Sequence, residues 1–200
     1  GDRHDYLSQA PYWWPNPKSA DGLPYIRRDG ERNPATEKIT DHKNLNDLLA
    51  TIRTLALACY FTGDERYAAR VSFLLLKWFL DEDTRMNPNV NFGQFIPGSR
   101  AGRPAGIIET RNLPEVLDAI GLIASVRERA ISERKGLESW FTRYLDWLLN
   151  SELGKKEREA RNNHGAWYDA QVVPIALFLG RDDQTSQVLR EALKKRLASQ

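Results

Sequence analysis

Cysteine is almost missing from this chain. Cys59 stands alone, so an intramolecular disulfide and a thiolate metal cluster are both excluded. It lies within an apolar helical pattern and reads as core. Histidine is scarce too: His4, His42 and His164 form no HExxH pair, and neither a metal nor any other cofactor is expected. Phosphate-loop and dinucleotide motifs are absent, as is the GxSxG elbow of serine hydrolases. No apolar run approaches the ~20 residues that span a bilayer, and no signal-peptide n-region and h-region precede the fold. A soluble chain without a membrane partner is expected, and its abrupt start at Gly1-Asp2-Arg3 leaves room for a cleaved leader. Neither sign of charge dominates: 29 Lys and Arg against 27 Asp and Glu leave a formal +2. That excludes a nucleic-acid clamp while allowing a local basic cluster for an acidic ligand.

What is present is ordinary globular composition, 41% hydrophobic and 28% charged over 200 residues, enough for one domain with a sizeable core. Six Trp, seven Tyr and seven Phe are plentiful. Most should fill the core, and flat aromatic faces also suit sugar-binding clefts. Residues 1–40 have no helical period and carry Pro11, Pro15, Pro17, Pro24 and Pro34. Their aromatic residues need packing partners, so an ordered loop region walling a cleft is expected.

Helical spacing begins at Asp41. Leu45, Leu48, Leu49, Ile52, Leu55, Ala56, Cys59 and Tyr60 share one face, Gly63 stops the helix and Asp64 caps the next. The second helix, through Val71, Phe73, Leu75 and Phe79, is apolar nearly all round and should be covered on more than one side. Residues 81–112 read as a second loop, with Gln94, Arg100 and Arg103 among its polar groups. Pro114 opens a third helix, and a fourth carries Leu137, Phe141, Tyr144, Leu145 and Leu148. A charged connection, 151–161, leads to a fifth helix, in which Pro174 predicts a kink or a restart near Val173. Asp182 and Asp183 begin a sixth, running towards Ala198. No strand is expected, because apolar residues nowhere alternate over a useful length. The fold class is all-α. Helix count and the repeated plan of helix end, glycine and acidic cap fit helical hairpins in an α/α solenoid or toroid.

The chemistry concentrates in Arg161-Asn162-Asn163-His164-Gly165-Ala166-Trp167-Tyr168-Asp169. Read alone, the stretch is first a helix cap with a satisfied histidine. A side-chain amide, an imidazole and a helix N-terminus at one spot also suit a carboxylate or a developing oxyanion. A glycosidase needs two carboxylates about 5 to 10 Å apart, and no spacing among acids such as Asp64, Glu109 and Asp169 singles out a pair. Proton abstraction beside a carboxylate remains. It requires donors that neutralise the carboxylate, a base, and an acid for the departing oxygen.

Several stretches resemble the alginate lyase domain family of helical polysaccharide lyases: Asp5-Tyr6-Leu7-Ser8 with Ala10-Pro11-Tyr12-Trp13-Trp14-Pro15-Asn16-Pro17; Tyr25-Ile26-Arg27-Arg28-Asp29-Gly30-Glu31-Arg32-Asn33-Pro34; Tyr60-Phe61-Thr62-Gly63-Asp64-Glu65-Arg66-Tyr67; Met86-Asn87-Pro88-Asn89; and Asn162-Asn163-His164-Gly165 with Trp167-Tyr168-Asp169. The resemblance implies an incomplete (α/α) toroid that cleaves an acidic polysaccharide such as alginate by metal-independent β-elimination. It places Asn163 and His164 at the cleaved bond: the Asn neutralises the uronate carboxylate, and the His helps it or acts as base on one epimer. Substrate contacts are expected from Tyr12, Trp13, Trp14, Arg27, Arg28, Gln94, Arg100, Asn162, Trp167 and Tyr168. The family's further Arg and Tyr pair belongs to a later helix, so residues 1–200 are expected to be the N-terminal part of a longer domain. A periplasmic or secreted location follows from the resemblance, which assigns no oligomeric state. Two other readings stay open: a non-catalytic carbohydrate-binding or scaffold domain, and a glycoside hydrolase on a related α/α toroid.

Overall fold

Helix α1 (Asp41–Thr62) buries Leu45, Leu49, Ile52, Ala56 and Cys59 along one stripe. Gly63 ends it in the left-handed region at φ 69°, where a Cβ would be strained, and its N–H donates to the Cys59 carbonyl at 2.8 Å. The Asp64 carboxylate then accepts from the Arg66 N–H at 2.9 Å and starts α2 (Glu65–Leu75). Such a short link returns α2 along α1, against which it packs. The chain widens into a π-helical turn over Leu76–Leu80. Ala68, Val71, Leu75 and Phe79 are buried, but Phe73 is 47% exposed. Helix α2 is thus covered on one main face, contrary to its all-round apolar sequence.

The computed structural model describes residues 1–124 and 134–197, and these are mostly helical. Helix α3 (Pro114–Ala124) also packs on α1. Helix α4 (Arg134–Asn150) brings Trp140, Phe141 and Tyr144 into the core. There Trp140 meets Phe79 edge-on at 4.8 Å between centroids and stacks on Tyr144 at 5.3 Å, geometries worth about 0.5–1.5 kcal/mol per pair beyond burial. The charged connection is itself helical: α5 (Glu152–Arg158) is capped by Ser151, whose hydroxyl accepts from the Gly154 N–H at 3.0 Å. Helix α6 (Asn163–Phe178) continues through Pro174 without ending. Val172, Ile175 and Ala176, all buried around the proline, hold the turn by packing where a backbone bond is lost. Helix α7 (Asp182–Ala192) lies against α6 and passes into a π-helical turn, Leu193–Leu197. Ala198 lies outside the described residues.

Contrary to the sequence expectation, short strands occur. In the N-terminal region β1 (Leu7–Gln9), β2 (Trp13–Trp14) and β3 (Ile26–Arg27) form, and β4 (Phe92–Phe95) lies in the second loop. β1 runs parallel to β4, and β2 pairs antiparallel with β3, Trp13 opposite Arg27. Two to four residues are too few to display alternation, so pairing rather than pattern creates these strands. Residues 1–40 are joined to the second loop by the β1–β4 pairing and by the Ala10 N–H, which donates to the Phe95 carbonyl at 2.9 Å. Buried Asn33 ties them down: its N–H donates to the Pro11 carbonyl at 2.7 Å and its amide to the Trp13 carbonyl at 2.8 Å, while its side-chain oxygen caps the 3-10 turn Pro34–Lys38.

The second loop packs backbone on backbone. A Cβ on Gly106 would lie 2.5 Å from the Gly93 carbonyl oxygen, with no side chain available to yield. Gly106→Ala should therefore destabilise the fold by about 1–3 kcal/mol, measured as a lower urea midpoint at unchanged m-value. An unshifted midpoint would show that the two loop backbones can separate freely.

Candidate active site

The Asn-Asn-His-Gly stretch occupies the N-terminus of α6. Asn162 is the cap, with its side-chain oxygen accepting from the His164 N–H at 3.0 Å. Its carbonyl-type oxygen is thus committed to the helix rather than to a ligand. Asn163, in the first turn, is exposed, and among the described residues its side chain has no hydrogen-bond partner. His164 is held from below, where its Nδ1 lies 2.6 Å from Oε1 of Glu157 on α5. The Glu157 side chain is only 4% exposed, against 25% for the imidazole. Burial pushes the Glu157 carboxyl above its ordinary range, while His164 and Arg103 pull it back.

Gly165 is explained by close approach. A Cβ there would sit 2.1 Å from the Ala160 carbonyl oxygen and 2.6 Å from the Arg196 guanidinium carbon. That guanidinium spans the turn before the motif. It donates to Asp169 at 3.0 Å, to the Ala160 carbonyl at 2.8 Å and to the Arg158 carbonyl at 2.7 Å. Burial raises the Asp169 carboxyl and Arg196 opposes the rise. Asp169 is therefore a partner of the clamp.

Trp167, one turn beyond Asn163, is 40% exposed and faces Arg111, whose guanidinium carbon is 5.8 Å from the ring centroid. Tyr168 points the other way. It is 1% exposed and donates its hydroxyl to the Leu148 carbonyl at 2.8 Å, so this residue belongs to the core and the expected substrate contact is corrected. Helical geometry separates the two neighbours by about 100°, which the sequence run Trp-Tyr does not show.

From the opposite side come the N-terminal aromatics. Trp13 stands 5.7 Å from Arg103 and Trp14 lies 5.0 Å beneath Arg28. Tyr12 is 40% exposed. Arg27 is exposed and pairs with Asp29 at 2.8 Å. Its charge is nonetheless felt by Arg103, whose guanidinium is pushed below its ordinary value by burial and by Arg27, with Glu157 opposing. Trp13, Arg27, Arg103, Glu157 and His164 thus share one electrostatic neighbourhood. Arg100 is exposed beyond it.

Gln94 is 9% exposed and has a φ of 47°, a left-handed backbone that costs a non-glycine residue on the order of 1 kcal/mol. Its N–H donates to the Ser8 hydroxyl at 2.7 Å, and that hydroxyl in turn donates to Glu109. Gln94 lines a cavity of about 150 Å³ together with Ser8, Arg32, His42, Glu109 and Arg111. Arg111 links this cavity to Trp167. The sequence reading did not assign Arg103, Arg111 or Glu157 to the site. Arg103 carried a hint in its Gly-Arg-Pro loop, but Glu157 was hidden in a run of charges.

With this geometry in place, a match to the alginate lyase family model over residues 1–200 decides the assignment. The chain belongs to the alginate lyase family. A crystal structure of an alginate lyase from Bacteroides ovatus at 1.60 Å resolution is similar to it, with a TM-score of 0.93 and 42% identity. The match covers 100% of this chain and 53% of that one, so the chain spans about half that protein's length. No curated protein matches it. The Arg196 clamp on the turn before the Asn-Asn-His-Gly stretch is open to test. Arg196→Ala leaves a largely buried carboxylate and two carbonyls unpaired and should cost on the order of 3 kcal/mol. Arg196→Lys should recover only part of it, since an ammonium lacks the fork that reaches all three acceptors. Equal thermal midpoints for the wild type and Arg196→Ala would refute the clamp.

Proposed function

We propose that residues 1–200 form the N-terminal part of a polysaccharide lyase that cleaves a uronate polymer, such as alginate, by metal-independent β-elimination. The observation that carries this reading is the paired placement at the start of α6: an exposed Asn163 amide and a His164 imidazole anchored to Glu157, within the shared field of Arg103 and Arg27. Removing the proton at C5 of a uronate creates an enolate-like dianion, so its carboxylate needs neutral or positive donors first. Asn163 and the first-turn amides of α6 supply them. His164 takes the C5 proton or reinforces the carboxylate contact, according to the epimer. The C5 electron pair forms the C4–C5 double bond as the C4–O4 bond breaks, and O4 leaves with a proton. An Arg and Tyr pair of the kind the family resemblance implies, outside residues 1–200, would complete that transfer, a reading supported by the match covering only 53% of the Bacteroides ovatus protein.

Tyr12, Trp13, Trp14 and Trp167 offer flat faces to sugar rings, and Arg27, Arg28, Arg103 and Arg111 offer charge to neighbouring uronates. Gln94 and Arg100 extend this surface along the second loop. The helical pairs form an incomplete (α/α) toroid whose loops wall the cleft, and an extracellular or periplasmic site of action suits such a substrate.

The intact protein containing residues 1–200 should generate the ultraviolet absorbance of an unsaturated uronate when given alginate or glucuronan. New reducing ends without that chromophore would identify a hydrolase, and polymer binding without either would identify a binding protein. His164→Ala should lower kcat/KM at least ~100-fold, and Asn163→Ala ~100- to 1,000-fold, both with wild-type circular dichroism. Full activity in a folded His164→Ala variant would move the site elsewhere.

A further inference from the structure

We propose that Glu157 is a positioning residue for His164, fixing the imidazole so that Nδ1 faces the protein and Nε2 faces the cleft. The inference rests on the reading of His164 as a group that acts on substrate. Three observations carry it.

First, the contact is short and directed: Nδ1 to Oε1 is 2.6 Å. Among the described residues Nε2 has no hydrogen-bond partner. A carboxylate can only accept, so the shared proton sits on Nδ1 and leaves the Nε2 lone pair available to take one. A proton taken at Nε2 makes an imidazolium, whose new charge falls beside a carboxylate already in place.

Second, Glu157 is built into rigid structure. Its helix α5 is capped by Ser151 and approaches the end of α4 so closely that a Cβ on Gly154 would lie 1.9 Å from the Leu148 carbonyl oxygen. α5 also packs on α6 and on the 3-10 turn Pro104–Thr110. A carboxylate held this way loses little freedom when it orients a ring.

Third, burying an acid costs stability, and this one is 3% exposed with His164 as its hydrogen-bond partner and the Arg103 charge nearby. Its α5 neighbours are otherwise engaged: Arg158 pairs with Glu191 and Glu159 with Lys195. A residue needed only for packing at this position would be served by an uncharged side chain of the same shape.

Glu157→Gln keeps the shape and a hydrogen-bond acceptor while removing the charge. In the intact lyase it should lower kcat ~10- to 100-fold with KM nearly unchanged. Selective ¹⁵N-histidine labelling reads the tautomer directly, with the His164 resonances assigned by their loss in His164→Ala. The wild type should show protonated Nδ1 and free Nε2, and Glu157→Ala, which leaves no acceptor, should show a tautomer mixture. A free Nδ1 in the wild type, or an unchanged kcat in Glu157→Gln while His164→Ala is inactive, would overturn the proposal. Full activity in His164→Ala would instead overturn the underlying assignment of His164, and the ¹⁵N spectrum would still report whether Glu157 sets the ring.

Discussion

Beneath the motif helix, the side chain of Gln171 joins three parts of the chain that no apolar contact could align so closely. Its Oε1 lies 2.9 Å from the Thr110 hydroxyl, which is 2.7 Å from the Tyr144 hydroxyl, and its amide nitrogen reaches the Ile107 carbonyl at 3.3 Å. Thr110, Tyr144 and Gln171 are fully buried. In such a place hydrogen bonds are strong and an unmade one is costly, so the second loop, α4 and α6 are accepted in one register or not at all. That register turns Trp167 outward towards Arg111, presents His164 to α5, and brings the loop bearing Arg103 beneath the N-terminal aromatics.

The upper part of the site is built differently. Arg103, Arg111 and Arg28 each lie over a tryptophan ring, a contact that does not itself neutralise a guanidinium, although Arg28 also pairs with Glu31 at 3.6 Å. Such pairing lets a chain with an almost balanced overall charge present a basic, aromatic surface.

How far these features were legible in the sequence depended on the range of the interaction. Period and punctuation marked α1, its Gly63 stop and the Asp64 cap, because local chemistry alone decides them. The Asn-His pair stood out because its composition is unusual for a helix start. Features governed by distant pairing were hidden. The strands are too short to alternate, and α5 looks like a solvated charge run until Glu157 turns inward. The outward Trp167 and inward Tyr168 are adjacent in sequence but about 100° apart around the helix. At Pro174 one of the two expected outcomes, a restart of the helix, does not occur: α6 runs on through the proline, where Val172, Ile175 and Ala176 are buried.

The reach of Arg196 makes the motif depend on a turn distant from it in sequence. A turn at residues 193–197 holds the carbonyls of Arg158 and Ala160 just ahead of Asn162, so the start of α6 is ordered by a contact more than thirty residues away. In the language of local unfolding, these two segments form a single cooperative unit. Opening of the turn after α7 would remove these contacts and loosen the residues that lead into Asn163 and His164.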